Sequence, residues 1–244
     1  MELHNLIEKI SRSTISYPNS TFSDKTKVYT CVNPYSYHLV RKNIELYNNI
    51  DGIFVDGFLM CLAIRIFWRK KIPRLSFDMT GIAKHLFERI NSTGESIYFI
   101  GSRSKEVEKS VANILNQFPD IEIAGYRDGY FNSDHDRDNT IKEIISINPN
   151  FVIVGMGSPL QEQFILDLKN RGYKGIAFTC GGFLHQTMES INYYPAWVNK
   201  YNLRAFYRLY KEKGLFGRMY NILLEFPILF IKDSILSKLG KENQ

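Results

Sequence analysis

Phe151-Val152-Ile153-Val154-Gly155-Met156-Gly157-Ser158-Pro159-Leu160-Gln161-Glu162-Gln163-Phe164 is the stretch that decides the fold. Its first four residues are apolar and three of them are β-branched, which predicts a buried strand. Gly155 and Gly157 let the backbone approach a ligand closely. Pro159, expected at the first helical position, and Glu162 in the first turn open a helix whose free N–H groups attract an anion. Any strand-to-helix loop of an α/β protein can carry Gly-x-Gly for packing alone. Gln161 and Glu162, two long polar side chains just behind the loop, are not required for folding and point to a ligand.

The same strand-then-helix reading extends outward. Strands are expected at 27–33, 52–55, 97–100, 121–126 and 175–179. Helices are expected at 34–48, from 58 through Trp68, and at 77–91, 105–116, 139–147 and 161–170. Residues 1–26, polar and turn-rich around Pro18, predict a short helix and a loose connector. Such alternation implies a mostly parallel sheet with flanking helices, a Rossmann-like α/β core. Glycines fall at the carboxyl ends of the expected strands, at Gly101, Gly125, Gly155, Gly157, Gly181 and Gly182, where ligands of open α/β sheets bind. Neither G-x-G-x-x-G nor Gly-Lys-Ser/Thr occurs, which argues against a dinucleotide fold and a P-loop.

A chain of 244 residues with 44% apolar content buries a sizeable core without staples. Cys31, Cys61 and Cys180 are far apart and fit free thiols in a reducing, cytoplasmic setting. His4, His38, His85, His135 and His185 form no ligand cluster, so no metal site is expected. The N-terminus lacks a signal-peptide pattern, and no run approaches the ~20 apolar residues that span a bilayer. Charge is uneven: residues 1–199 hold 22 Lys/Arg against 21 Asp/Glu, whereas 200–244 hold 9 against 4. The excess at Lys200, Arg204, Arg208, Lys211, Lys213 and Arg218 suits the phosphates of lipid, nucleotide or nucleic acid, or is simply a solvated helix face. A basic, aromatic helix is expected at 203–213, then a break at 214–217 and an apolar stretch at 221–239 interrupted by Pro227. The expected organisation is a nucleotide-sugar-binding domain at 1–195 and a membrane-associating appendage at 196–244, which lies over the pocket. Homo-oligomers that hide the apolar tail until membrane contact stay open.

Gly155-Met156-Gly157-Ser158-Pro159-Leu160-Gln161-Glu162 resembles the G-x-G-x-P-x-Q-E signature of the WecG/TagA/CpsF glycosyltransferases of bacterial cell-surface polysaccharide assembly. Other motifs of that family resemble this chain in the same order over about 27–220. They are Asp56-Gly57, Gly125 to Phe131 for Gly-x-x-x-Gly-Tyr-Phe, and Tyr207-Arg208-Leu209 with Glu212 in the tail. Each is unspecific alone; their order carries the resemblance. Cys31-Val32-Asn33 is similar to Thr-x-Asn with Cys in place of Thr, and Thr30 precedes it. Arg74 to Asp78 is similar to a longer Arg-x-x-Gly-x-Asp, and Cys180 to His185 to a Gly-Gly-x-Phe-Asp-like motif with His185 near the Asp. The departures at Cys31, Phe77 and His185 suggest a capsule or exopolysaccharide branch.

Asp56 ends an apolar strand, where burial would raise its pKa toward that of a general base, but by sequence alone the favoured reading is a cap on the next helix. The resemblance implies the base, which would deprotonate an acceptor sugar hydroxyl. It also implies donor or phosphate contacts at Cys31, Asn33, Gly101, Tyr130, Gly155, Gly157, Pro159, Gln161, Glu162, Gly181 and Gly182. Arg74 is a phosphate contact or a surface partner of Asp78; Tyr130 lines a ring-binding surface or belongs to the core; His185 touches phosphate or is structural. Arg208 and Arg218 are candidates to neutralise a diphosphate, since guanidinium forks match phosphate.

The resemblance implies an inverting, metal-independent glycosyltransferase without a cofactor. It would move a hexosyl unit, N-acetylmannosamine or a relative, from a UDP-sugar to a polyprenyl-diphosphate-linked sugar at the inner membrane face. The rivals are a nucleotide-dependent oxidoreductase, disfavoured by the missing glycine fingerprint, and a nucleic-acid-binding protein. The apolar tail fits an anionic membrane surface better than nucleic acid.

Overall fold

The computed structural model describes residues 3–18, 26–212 and 216–242. The first half runs α1 (Leu3–Ile15), β1 (Lys27–Val32), α2 (Tyr37–Lys42), α3 (Ile44–Asn48), β2 (Gly52–Val55), α4 (Phe58–Trp68), α5 (Ile82–Thr93), β3 (Ser96–Gly101) and α6 (Ser104–Gln117). The second runs β4 (Glu122–Arg127), α7 (Asp134–Ile147), β5 (Phe151–Gly155), α8 (Leu160–Asn170), β6 (Ile176–Thr179), α9 (Phe183–Glu189), α10 (Ala196–Lys200), α11 (Arg204–Lys211), α12 (Phe216–Tyr220), a π-helical turn (Asn221–Glu225) and α13 (Phe226–Glu242).

The strands form one all-parallel sheet of order β2-β1-β6-β5-β3-β4. β2, β5 and β6 are buried at every position, as continuous apolar runs require when helices cover both faces. Alternate residues still feed two separate cores. Val152 and Val154 point with Val28, Val32 and Ile100 into the core under α1, α2, α4, α7 and α8. Phe151 and Ile153 point with Phe54, Phe99 and Phe178 into the core under α5, α6 and α9. After β5 the chain enters α8 on one face; after β6 it enters α9 on the other. The two helix starts therefore diverge over neighbouring strand ends, which is where a doubly wound sheet opens a crevice.

Four expectations need correction. The single helix at 34–48 is two, because Asn43 leaves the helical conformation (φ −121°, ψ 41°) between α2 and α3. The helix expected from Phe77 begins at Ile82. The polar side chains at 76, 78 and 80 turn inward to one arginine, and Gly81 N and Ile82 N close on the Asp78 and Ser76 carbonyls. Pro159 caps α8 from outside instead of occupying its first position, and its carbonyl accepts from Gln163 N (3.1 Å). Pro227 does not interrupt the last helix. It lies in the first turn of α13, next to the π-helical turn, where a missing N–H is tolerated. Of the break expected at 214–217, residues 214 and 215 lie outside the described residues, while Gly217 is within α12.

α13 returns across the face built from α1, α2 and α4. Phe226 and Phe230 pack on Tyr37 (ring centroids 5.4 and 5.5 Å), and Phe67 lies 6.1 Å from Phe230. Trp68 Nε1 donates to Ser234 Oγ (3.2 Å), and Arg41 and Tyr37 both bond Asp233. The opposite side of α13 exposes Ile228, Ile231, Ile235 and Leu239. Among the described residues no helix is long and apolar enough to cross a membrane.

Candidate active site

Two polar clusters stand at the carboxyl edge of the sheet. The first is centred on Asp78, in the loop between α4 and α5. Asp78 accepts from Arg74 Nη1 (3.2 Å), Arg204 Nη1 (2.5 Å), Ser76 Oγ (2.5 Å) and Thr80 N (2.7 Å). Burial opposes its charge, but the two guanidiniums and the local donors outweigh this and hold the carboxyl down at about 2. Arg74 also donates to Asp56 Oδ1 (2.9 Å) and to Ser76 and Thr80. Burial works against the Arg74 cation too, and the two carboxylates more than compensate.

Asp56 follows β2, with its N–H bonded to the Val32 carbonyl (2.8 Å). The expected burial is not found: its side chain is 39% exposed, because it reaches out of the strand end to Arg74. The helix-cap alternative is not realised either, since Gly57 is the N-cap of α4 and among the described residues no side chain caps it. Gly57 has φ 107°, which turns the chain sharply and leaves the carboxylate at the mouth of the sheet. Arg74 is both a partner of Asp78 and a neighbour of Asp56, so its two sequence readings merge. Cys31 lies on this side of the sheet with its thiol 3.8 Å from the Leu75 carbonyl; burial pushes the thiol up, with Asp56 adding to this. Thr30 points to the other face, so its hydroxyl does not replace the one Cys31 lacks. Asn33 bonds Ser36 and shapes the turn into α2, beside Gly57.

The segment after β6 closes over this cluster. Arg204 of α11 reaches Asp78 and Thr80 and stacks 4.6 Å from the Tyr194 ring. Arg208, one turn on, is held side-on by Glu212 through Nε (2.8 Å) and Nη2 (2.9 Å), and Glu212 also accepts from the Tyr193 hydroxyl. Burial opposes the Arg208 charge, and Glu212, Tyr194 and Asp56 raise its pKa above the ordinary guanidinium value. Arg208 Nη2 would lie 3.5 Å from a Cβ at Gly182, so α11 aims a cation at the turn after β6. Arg218 is in α12, but its side chain lies outside the described residues.

The second cluster lies under the glycine loop between β5 and α8. Glu162 is fully buried, and Gln161 is 4% exposed. Glu162 Oε1 accepts from Thr30 (2.8 Å), Ser158 (3.0 Å) and Gln161 Nε2 (2.9 Å). Burial pushes its carboxyl up, against those donors. Gly157 (φ 77°) and Gly181 (φ 54°) have open space where a side chain would be, at the carboxyl ends of neighbouring strands β5 and β6. Gly101 and Gly155 are explained by packing. A Cβ at 101 would overlap the Gly155 carbonyl, and one at 155 would come within 2.9 Å of Cys180 Sγ.

Tyr130 is 66% exposed, which removes the core alternative, while Phe131 stacks on Phe164. His185 Nδ1 lies 3.3 Å from Glu106 Oε1 at the start of α6. Asp56, Arg74, Cys31, Gly182 and Arg208 thus share one edge, whereas Tyr130 stands beyond the loop after β5 and His185 faces α6. Arg204 was read only as one of the tail cations, and neither it nor Tyr193 or Tyr194 was given a role at the site. The polar spacing Ser76-x-Asp78-x-Thr80 was the available sign that this segment is a clamp and not a helix.

A sequence model of the glycosyl transferase WecG/TagA/CpsF family matches residues 7–240. The chain is 33% identical over 218 residues (89% of this chain, 91% of the relative) to a UDP-Gal:alpha-D-GlcNAc-diphosphoundecaprenol beta-1,4-galactosyltransferase of Shigella boydii. It is 27% identical over 228 residues (90% and 87%) to an N-acetylglucosaminyldiphosphoundecaprenol N-acetyl-beta-D-mannosaminyltransferase of Bacillus subtilis (strain 168). With this parallel sheet and charged carboxyl edge, the chain belongs to the WecG/TagA/CpsF family of glycosyltransferases.

Proposed function

We propose that this glycosyltransferase moves a hexosyl unit from a UDP-sugar to a sugar carried on a polyprenyl diphosphate, with inversion, in bacterial surface polysaccharide synthesis. The observation that carries the reading is the pairing of Asp56 with Arg74 at the end of β2, in the field of an Arg208 aimed at the Gly182 turn. Asp56 takes the proton of the acceptor hydroxyl. The hydroxyl oxygen attacks the anomeric carbon, and the bond to the diphosphate oxygen breaks with its electron pair leaving on UDP. Arg208, Arg218 and the backbone N–H groups of the glycine turns spread the developing charge. Asp56, Asp78 and Glu212 are each bonded to an arginine, so these carboxylates are engaged by guanidinium groups, which supports a reaction that does not use them to hold a metal. Donor contacts are assigned to Cys31, Asn33, Tyr130, Gly157, Gly181, Gly182 and His185.

The names of the two relatives share a GlcNAc-diphosphoundecaprenol acceptor and differ in the sugar transferred. That supports a lipid-linked acceptor here and a donor among the UDP-hexoses. The outward apolar side of α13, with Lys232 and Lys238 on the same helix, supports an appendage at 196–244 that meets an anionic membrane on the cytoplasmic side. Each cation near such a surface contributes about 1 kcal/mol.

The test is UDP release from UDP-galactose, UDP-N-acetylmannosamine and related donors, with and without a short-chain prenyl-diphosphate-GlcNAc, for wild type and Asp56→Asn. Acceptor-dependent release should fall roughly 10²–10⁴-fold in the variant, the usual worth of a general base. Undiminished release by Asp56→Asn would remove it as the base. An absence of release by wild type, with no binding of UDP, would overturn the reaction.

A further inference from the structure

Gln161 joins the two open glycine turns. Its backbone N–H donates to the Gly157 carbonyl (3.0 Å), and its side-chain Oε1 accepts from Gly181 N (3.2 Å). A backbone N–H can only donate, so the Gln161 atom facing Gly181 is the oxygen, and Nε2 turns inward. Its two hydrogens then go to Ser158 Oγ (3.2 Å) and Glu162 Oε1 (2.9 Å). Proton counting fixes the remaining directions. Thr30 has one hydroxyl hydrogen and gives it to Glu162 (2.8 Å), so Thr179 must donate to the Thr30 oxygen (2.7 Å). Glu162 Oε1 is therefore the single acceptor on which hydrogen bonds from β1, the glycine loop and α8 converge, with β6 joined through Thr179. Oε2 is buried and takes no bond among the described residues. The residue has no surface with which to touch a ligand.

We infer that Glu162 is a positioning residue: through Gln161 it fixes the separation of the turns at Gly157 and Gly181, between which the donor nucleotide enters. The inference rests on the proposed UDP-sugar reading of the crevice. Removing the acceptor leaves three buried donors with competing partners, and the amide of Gln161 is then free to turn from Gly181.

The experiment is calorimetric UDP binding with steady-state kinetics for wild type, Glu162→Met, Glu162→Gln, Gln161→Met and the double Met variant. Glu162→Met keeps the length without an acceptor and should weaken UDP about tenfold, equivalent to about 1.4 kcal/mol. Gln161→Met should do the same. The double variant should be no weaker than either single by more than about threefold, because both act through one connection. Glu162→Gln keeps an acceptor oxygen and should rescue binding to within about threefold. The loss should appear in the KM for the donor more than in kcat, a split that general loosening of the fold would not give.

Affinity as poor in Glu162→Gln as in Glu162→Met would overturn the inference, since the charge itself would then matter. Additive losses in the double variant, or wild-type binding by Glu162→Met, would also overturn it. Should Glu162→Met not fold, Glu162→Gln and Gln161→Met decide alone: wild-type affinity in Gln161→Met is the refuting result. Failure of the wild type to bind UDP strikes the proposed function, not this inference.

Discussion

Replacing Arg204 with Met should release the cover over the crevice while leaving the sheet intact. Arg204 makes three bonds, to Asp78 (2.5 Å), Thr80 (2.7 Å) and Asn199 (2.7 Å), and its guanidinium stacks on Tyr194. Methionine keeps the buried stem and removes all four contacts. Loss of one partner from a buried ion pair typically costs about 3–5 kcal/mol because the other charge is stranded. Here Asp78 keeps Arg74, Ser76 and Thr80 N, so it is not stranded. One charge-assisted pair, worth about 1.5–3 kcal/mol, plus a stacking contribution of about 0.5–1 kcal/mol, gives a loss of about 2–4 kcal/mol. For a chain of this length that corresponds to a fall in Tm of about 4–16 °C if the cover unfolds with the rest. Should it open alone, hydrogen exchange in 196–211 accelerates instead, at unchanged protection of the strands. The assay is a thermal melt combined with hydrogen exchange. A variant that melts within about 1 °C of wild type and protects 196–211 equally would refute the assignment of Asp78–Arg204 as the clasp.

Acid should weaken the same clasp. The Asp78 carboxyl is held at about 2 against an ordinary 3.8, so its contribution, about 2 kcal/mol, is complete above about pH 4 and is lost as pH falls toward 2. The stability difference between wild type and Asp78→Asn, measured by urea denaturation, should shrink over that window; a difference independent of pH would contradict the ion pairing. Gly101→Ala and Gly157→Ala should differ: the first drives a Cβ into the Gly155 carbonyl and should cost about 3 kcal/mol or more, while the second meets open space and pays only the left-handed conformation, about 1–2 kcal/mol. Equal losses in denaturant titrations would show that strand contact does not explain Gly101. Ile228→Asn with Ile235→Asn, both at exposed sites, should leave Tm nearly unchanged yet weaken partition onto anionic vesicles at least about tenfold; unchanged partition would exclude this side of α13 from the membrane contact.

The sheet was legible because parallel strands between two helical layers are mostly apolar, and 52–55, 97–100 and 151–154 are continuous apolar runs. Helix limits were less so where side chains find distant partners. The Ser76-x-Asp78-x-Thr80 spacing is the one local sign of the clamp at 76–81, and its partner Arg204 lies 126 residues from Asp78. The glycines at 101, 155, 157 and 181 looked alike in sequence. Only the register of β3 on β5 and of β5 on β6 separates those that admit a neighbouring strand from those that face the crevice. Gln161 and Glu162 were read as polar residues beyond the needs of folding and pointing to a ligand, yet both are buried and bond groups of the fold itself. Their polarity answers other buried polar groups, which a single sequence cannot distinguish from a ligand.

The π-helical turn at Asn221–Glu225 sets a phase. A wider turn carries one residue more than the α-helical ladder needs, so it offsets the helix before it from the helix after it by about 100°. α12 and α13 are continuous along the chain but are not two ends of one regular cylinder. Deleting a single residue from this turn would leave the apolar composition of the tail intact. It would nevertheless rotate α12 about a quarter of a turn relative to Phe226 and Phe230, which anchor α13 to Tyr37. Tails of identical length and hydropathy can therefore present different azimuths to whatever they meet, and the turn is where such a difference would be written.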